Sequence, residues 1–316
     1  MTSNELIDNI RSNIGKVIVG RRGTVDLILT ALVAGGHVVL EDVPGTGKTM
    51  VAKAVARSLD LEFSRIQFTP DLLPSDVTGL NYFNQKEGEF VFQKGPVFTQ
   101  ILLADEINRA TPRTQSSLLE AMEERQVTID GDTYQLAEPF FVIATQNPVE
   151  TAGTYPLPEA QLDRFLMQVS MGYPDKEEEL DILERFGKGS PLDGLKAVCG
   201  AQDLMSLRDE AALVFVHPVL KSYLVELVQA TRRDKEILNG VSPRGSLALF
   251  RAVRAYALIQ GRDYVVPEDI KALAVPVLAH RLTTSHSFGG HSPSRDCIER
   301  ILASVPLPTE DWGVRL

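Results

Sequence analysis

The sequence predicts an α/β domain with a mostly parallel sheet, followed by an all-helical domain. An apolar run at 38–40 breaks into a glycine-rich loop, and a helix-forming stretch at 50–59 follows directly. Short apolar segments then alternate with amphipathic ones, whereas nearly every segment after residue 175 has helical periodicity. Alternating strands and helices favour parallel pairing, because right-handed crossovers place the helices on the faces of the sheet.

The elements of the first domain follow from local periodicity and turn residues. The predicted order is helices at 4–16 and 24–34, the strand at 38–40, the helix at 50–59, a strand at 61–68, a hairpin over 77–97, a buried strand at 100–104, a helix at 113–124, a hairpin over 126–136 and a buried strand at 140–145. The second hairpin turns at Asp130-Gly131, a pair that tolerates positive φ. We interpret both hairpins as insertions into the α/β plan.

The second domain is predicted from helical periodicity alone. Its helices are expected at 176–186, 202–215, 219–232, 243–259 and 267–279, with a linker at 187–194. Ser242 before Pro243 supplies an N-cap followed by the proline preferred in a first helical turn. We place the transition near 175–190, which divides the chain into an α/β core over 1–180 and a helical lid over 181–316.

Composition limits the possible classes of function. The chain has 316 residues, 44% of them hydrophobic, which is enough for a sizeable core. Its formal net charge of −10 argues against a general affinity for nucleic acid or anionic lipid. Cys199 and Cys297 lack the spacing of metal ligands, which argues against disulfide or zinc scaffolds. With no signal-like segment or membrane-length apolar run, we expect a cytoplasmic protein without membrane insertion.

The loop at 43–49, Val-Pro-Gly-Thr-Gly-Lys-Thr, predicts a site for a nucleoside triphosphate. Its glycines let backbone N–H groups approach phosphate oxygens at a helix N-terminus. Lys48 is expected to reach the outer phosphates, and the Thr49 hydroxyl to bind Mg²⁺. The predicted contacts are Pro44, Gly45, Thr46, Gly47, Lys48, Thr49 and Met50. Asp42 stands where the G-x-x-x-x-G-K-[ST] pattern has its first glycine, and we expect its carboxylate to point away from the phosphates.

Polar residues at the ends of two buried strands predict the chemistry of hydrolysis. Asp105 is positioned to hold Mg²⁺, and Glu106 to polarise a water for in-line attack on the γ-phosphorus. Asn147 ends another buried strand, where its amide is expected to orient that water or to contact the γ-phosphate. The alternative is an acidic pair that begins a helix and an asparagine that serves only a turn before Pro148.

Four ordered segments resemble those of MoxR-type AAA+ ATPases. They are Val-Pro-Gly-Thr-Gly-Lys-Thr at 43–49, Leu-Ala-Asp-Glu-Ile-Asn-Arg-Ala at 103–110, Ala-Thr-Gln-Asn-Pro at 144–148 and Leu-Pro-Glu-Ala-Gln-Leu-Asp-Arg-Phe at 157–165. The resemblance covers about residues 5–310. It implies a P-loop core with a helical lid, Mg²⁺ and ATP as cofactors, and a chain that assembles with copies of itself.

The resemblance also assigns roles to individual residues. These are Walker A for Lys48 and Thr49, Walker B for Asp105 and Glu106, sensor 1 for Asn147, the arginine finger for Arg164, sensor 2 for Arg244, and the adenine pocket for Val19 and Gly20. An arginine finger acts in a neighbouring subunit's site, where it stabilises charge in the transition state. Alternatively, Arg164 is a solvated residue beside a strand and Arg244 pairs with a carboxylate. The sequence does not say which subunit Arg244 serves.

The family's known activity implies a function. We expect a ring, with a hexamer as the expected size, that uses ATP to remodel or mature protein partners. Metal cofactor insertion and partners with von Willebrand factor A domains are also implied. The alternatives are a DNA-stimulated motor or loader, disfavoured by the acidic composition, and a slow nucleotide-gated scaffold.

Two further groups of residues have alternative interpretations. Phe90, Phe92 and Tyr134 in the hairpins either project toward a pore or a partner, or pack locally. His280, His286 and His291 with Cys297 form a conceivable metal site. Their neighbours, Thr-Thr-Ser and Phe-Gly-Gly, instead indicate a loop.

Overall fold

The computed structural model describes residues 2–41, 45–147, 153–187, 189–284 and 293–308. The strands are β1 (Val38–Glu41), β2 (Phe63–Gln67), β3 (Gly79–Asn84), β4 (Glu89–Lys94), β5 (Ile101–Asp105), β6 (Gln126–Ile129), β7 (Asp132–Gln135), β8 (Phe141–Gln146), β9 (Met167–Val169), β10 (Ile237–Asn239) and β11 (Thr283–Thr284). The helices are α1 (Ser3–Gly15), α2 (Arg22–Val33), α3 (Lys48–Ser58), α4 (Pro74–Thr78), α5 (Pro112–Glu124), α6 (Glu159–Leu162), α7 (Lys176–Phe186), α8 (Ala201–Leu213), α9 (Pro218–Arg233), α10 (Pro243–Ile259), α11 (Pro267–Leu278) and α12 (Pro293–Ser304).

A five-stranded sheet in the order β2-β5-β8-β1-β9 forms the centre of the first domain. Every neighbouring pair in it is parallel. Because the strands are parallel, all their carboxyl ends meet at one edge of the sheet, and the loops after β1, β5 and β8 are neighbours. The predicted fold class, a mostly parallel P-loop core followed by a helical lid, is confirmed.

The sheet is buried on both faces, which explains its continuous apolar strands. Successive residues of β5 point to opposite faces, so Leu103 joins one hydrophobic cluster and Leu102 the other. The cluster of Leu103 extends into the lid and includes Leu249 of α10, which packs on α2. Core and lid therefore share apolar packing. The division of the chain at residue 180 remains a prediction, and α7 spans most of the predicted transition.

The two hairpins pack on each other through aromatic rings. Phe92 of β4 stacks on Tyr134 of β7 with ring centroids 4.3 Å apart, so local packing holds for this pair. Phe90 is 72% exposed and contacts the ring of Phe83 across the same hairpin, with centroids 5.4 Å apart. Of the three aromatic residues with these alternative interpretations, only Phe90 is exposed.

Some elements differ from their predictions. The strand β9 and the helices α4 and α12 were not predicted. β9 has three residues and α4 has five, too few for a recognisable period, whereas α12 has twelve and buries Cys297, Ile298 and Ile301 at helical spacing. The predicted helix over 202–215 ends instead at Leu213, because Phe215 leaves it to bridge Tyr264. There the Phe215 N–H donates to the Asp263 carbonyl at 2.8 Å. Within the described residues, no helix is both long enough and apolar enough to cross a membrane.

A buried histidine joins the lid to the core. His280 follows α11, and its Nε2 lies 3.1 Å from the Phe165 carbonyl oxygen, just before β9. The Arg281 guanidinium donates to the same carbonyl at 2.6 Å. Burial, reinforced by the charge of Arg281, lowers the pKa of His280 to about 3. His286 and His291, the other histidines of the conceivable metal site, lie outside the described residues.

Stability should fall in acid partly because of this histidine. The folded-state pKa is depressed, so between pH 6.5 and about 3 the unfolded chain binds a proton that the folded chain does not. The stabilisation is therefore present above pH 6.5 and is lost as the pH falls. We expect His280→Gln to flatten the dependence of unfolding free energy on pH by up to about 1.4 kcal/mol per unit. Urea titrations at several pH values between 4.5 and 7.5 measure this slope, and equal slopes in both proteins would contradict it.

Candidate active site

The glycine-rich loop leads into α3 at the carboxyl edge of the sheet. Gly45 and Gly47 have φ of 87° and 90°, a conformation that side chains disfavour. Gly47 is the N-cap of α3, so the first N–H groups of this helix face the loop. Lys48 Nζ donates to the Gln146 carbonyl at 3.3 Å, beside the end of β8. Asp42 and Pro44, including the expected outward orientation of Asp42, lie outside the described residues.

A cavity of about 210 Å³ adjoins this loop. Its walls include five predicted nucleotide contacts, namely Val19, Gly45, Thr46, Gly47 and Met50. Apolar side chains complete it, among them Ile182 and Phe186 of α7. An apolar slot beside a phosphate loop fits a nucleotide base. Gly20 lies instead in an adjacent cavity, and its φ of 67° and lack of a side chain leave room for Glu178 of α7.

Asp105 ends β5 as a nearly buried carboxylate with two partners. Thr145 Oγ1 donates to its Oδ1 at 2.7 Å, and Arg65 Nη2 donates to its Oδ2 at the same distance. Thr49 lies in the first turn of α3, at the same edge of the sheet. Carboxylate and hydroxyl oxygens are the donors that Mg²⁺ prefers, and the Arg65 contact shows that Asp105 accepts a cation. The residues therefore fit a magnesium ion.

Glu106 adopts an unusual backbone conformation. Its φ of 55° and ψ of 50° lie in the left-handed region, which non-glycine residues occupy uncommonly. The Glu106 N–H donates to Thr145 Oγ1 at 2.8 Å, which helps to hold this conformation. Its Oε2 accepts from Gln67 Nε2 at 2.8 Å and from Arg109 Nη1 at 3.0 Å. These two donors fix the position of one oxygen of the carboxylate.

Asn147 lies directly after β8 and is 6% exposed. Asn108 Nδ2 donates to its carbonyl at 3.2 Å, which ties it to the segment that follows Glu106. Because β5, β8 and β1 are parallel neighbours, the sheet brings Asp105, Glu106 and Asn147 to the edge of the glycine-rich loop.

The two arginines lie at the opposite edge of the sheet. Arg164 shortly precedes β9, and the nearby Leu166 N–H donates to the carbonyl of His37, which directly precedes β1. The length of β1, four residues at about 3.3 Å each, or about 13 Å, separates this amino edge from the glycine-rich loop. The structure therefore does not bring Arg164 to the phosphate loop of its own chain.

Arg244 shares a carboxylate with Arg164. Arg164 Nε lies 3.2 Å from Glu123 Oε2, and Arg244 pairs with the other oxygen of Glu123. Both arginines line a cavity of about 230 Å³ together with Arg251 and Arg281. Within one chain, Arg244 therefore pairs with a carboxylate, as one of its two interpretations from the sequence expected.

Several residues of this site were not singled out from the sequence. They are Arg65, Gln67, Arg109, Glu123 and Thr145. Arg109 follows Glu106 at i+3 and Thr145 precedes Asn147 by two, so proximity to the motifs was an available signal. Gln67 and Arg65 become neighbours of β5 only through the strand order.

Comparisons with known proteins agree with this fold. A model of the "ATPase family associated with various cellular activities (AAA)" matches residues 37–167, and one of the "AAA lid domain" matches 229–301. The chain is 45% identical over 303 residues to the chaperone MoxR1 of Mycobacterium tuberculosis, covering 93% of this chain and 80% of that protein. Protein MoxR of Paracoccus denitrificans is 31% identical, with 92% and 93% covered. The crystal structure of a candidate ATPase from Cytophaga hutchinsonii is 41% identical, with a TM-score of 0.88 and 97% and 96% covered.

Removing the carboxylate of Glu106 should separate binding from hydrolysis. We expect Glu106→Gln to lower the rate of ATP hydrolysis by about 10²- to 10⁴-fold, because the amide cannot accept the proton of the attacking water. ATP binding, measured with a fluorescent analogue, should be retained because the phosphate loop is unchanged. Glu62→Gln, at an exposed position before β2, is the matched control. Unchanged hydrolysis in Glu106→Gln would show that another group is the base.

Proposed function

The chain belongs to the MoxR family of AAA ATPases, and on this basis we propose that it is a Mg²⁺-dependent, ring-forming chaperone that remodels or matures other proteins. MoxR1 of Mycobacterium tuberculosis, 45% identical over 93% of this chain, is named as a chaperone. A hexamer is the proposed ring. Clients with von Willebrand factor A domains, and assistance in metal cofactor insertion, are the finer parts of this proposal.

The proposal rests on one observation, namely that the predicted site residues lie at two opposite edges of the sheet. Lys48, Asp105 and Glu106 lie at the carboxyl edge of the sheet, whereas Arg164 and Arg244 lie at the amino edge. The two halves form one site when the carboxyl edge of one copy faces the amino edge of the next. Such head-to-tail contacts produce a ring when the rotation closes.

In this arrangement Glu123 holds the arginines until a nucleotide arrives. Its carboxylate pairs with both Arg164 and Arg244, and all three side chains are partly exposed. Partly exposed ion pairs contribute little stability, so a γ-phosphate from the neighbouring copy can compete for both guanidinium groups. We therefore assign Arg244, like Arg164, to the neighbouring subunit's nucleotide.

The other residues act on the nucleotide of their own chain. Backbone N–H groups of the loop and Lys48 bind the phosphates, and Thr49 and Asp105 hold Mg²⁺. The ion, when bound, neutralises charge that develops on the phosphate oxygens. Glu106 takes the proton of the attacking water, Asn147 orients that water, and Arg164 stabilises the transition state.

Mixing two inactive variants tests whether the site is shared. We expect Glu106→Gln and Arg164→Ala each to be inactive alone, and their equimolar mixture to recover about one quarter of wild-type hydrolysis, since random head-to-tail pairing completes about one interface in four. Adding the double variant Glu106→Gln/Arg164→Ala to Arg164→Ala is the control, because no intact Arg164 is then present. A mixture without recovery, or full activity of Arg164→Ala or of an isolated monomer, would contradict the shared site.

Capture of a client from the native cell tests the chaperone assignment. A tagged Glu106→Gln chain should retain ATP and a protein client together, whereas Lys48→Ala, which loses the phosphate contact, should not. Recovery of DNA instead, with hydrolysis stimulated by DNA and strongly weakened by salt, would favour a motor or loader. Slow hydrolysis that Glu106→Gln leaves unchanged would favour a nucleotide-gated scaffold.

A further inference from the structure

A second cationic cavity lies next to the one that contains Arg164 and Arg244. It has a volume of about 380 Å³ and shares Gly35, Arg125 and Arg251 with its neighbour. Arg208 and Arg254 complete its charge, and Asp209 is the one acidic residue that lines it. In a chain with a net charge of −10, four arginines around one cavity are a marked local excess of positive charge.

Arg125 pairs with Glu138 at 2.8 Å, but two other arginines of this cavity have buried donors without acceptors. Arg208 Nη2 and Arg254 Nε are buried without a hydrogen-bond partner among the described residues. Burial, with the nearby charge of Arg125, lowers the pKa of Arg208 to about 10. Burial together with Arg125 and Arg244 also lowers the pKa of Arg251. Unsatisfied donors and crowded positive charges cost free energy that an incoming carboxylate would relieve.

Exposed leucines flank the arginines. Leu247 follows Arg244 by three residues and precedes Arg251 by four on α10, so all three lie on one side of this helix. Leu213 ends α8 directly after Ala212, which lines the cavity. Leu247 is 63% exposed and Leu213 is 84% exposed. The surface therefore combines a cationic hollow with an apolar rim, a pattern typical of interfaces.

Helix α7 has the complementary pattern, and it borders the nucleotide site. None of its residues is buried. Leu180 and Leu183 are exposed, and Glu177 and Glu184 are exposed neighbours of Leu180 at helical spacing. Since Ile182 and Phe186 of α7 line the base cavity, any copy that presents its nucleotide to Arg164 also brings α7 to the same edge.

We propose that α7 of one copy docks on the arginine cavity of the next, with its glutamates on the guanidinium groups and its leucines on Leu213 and Leu247. This contact rests on the proposed head-to-tail assembly and adds to it a second set of residues, which lie outside the nucleotide cavity. Ile182 and Phe186 of α7 also line the cavity of about 210 Å³ that fits a nucleotide base. The same helix would therefore contact both the bound base and the neighbouring copy.

Charge exchange between the two surfaces tests the contact. In the Glu106→Gln background with ATP and Mg²⁺, sedimentation velocity gives the concentration of half-assembly. We expect Arg251→Glu and Glu184→Arg each to raise it by about tenfold or more, and the two together in one chain to restore it to within about threefold. The exposed pair in α12 supplies matched controls, Arg295→Glu and Glu299→Arg, which should leave assembly unchanged.

Each outcome decides the proposal. Weakening without restoration in the double variant, or no weakening at all, would overturn docking of α7 while recovery of hydrolysis in mixed variants still supported the shared site. Failure of the parent chain to assemble would overturn both. A disulfide between Leu183→Cys in one copy and Leu247→Cys in another, formed only in mixtures with ATP, gives an independent readout, because the native Cys199 and Cys297 are buried.

Discussion

The parallel register of β5, β8 and β1 is the constraint on which the site depends. It converts positions far apart in sequence into neighbours, since the residues after each strand must meet at one edge. The same rule keeps Arg164 away from Lys48, because Arg164 lies where β9 begins and Lys48 follows the point where β1 ends. Which half of the site a residue occupies is thus decided by the end of the strand to which it is attached.

Sequence reasoning succeeded where the signal is local. The phosphate loop, the alternation of strands and helices, and the lid helices depend on periodicity and turn residues, and the fold class they indicated is confirmed. Gln67 could not be recognised in this way, because its contact with Glu106 exists only once β2 pairs with β5. The stacking of Phe92 on Tyr134 could not be predicted without knowing how the two hairpins lie against each other. β9 has three residues, which is too few to show a periodic pattern. The roles of the individual site residues remain predictions.

Charge is distributed unevenly between the two edges of the sheet. The carboxyl edge presents Asp105 and Glu106 and, beyond them, the acidic α7, whereas the amino edge concentrates arginines around two adjoining cavities. Two arginine-rich edges would repel each other, which disfavours a two-fold symmetric dimer formed through them. In the proposed head-to-tail assembly, the positions of these arginines would decide which surfaces meet, whereas the net charge of −10 would not.

Thr145 links Asp105 to Glu106 through a single oxygen atom. Its single hydroxyl proton goes to Asp105 and its oxygen receives the N–H of Glu106, so the direction of the group is fixed. A displacement of Asp105 when a metal ion arrives would be passed through one oxygen atom to the strained backbone that aims the base. If Asp105 holds the metal and Glu106 is the base, as proposed, this one threonine would couple arrival of the metal to the orientation of the group that activates the attacking water.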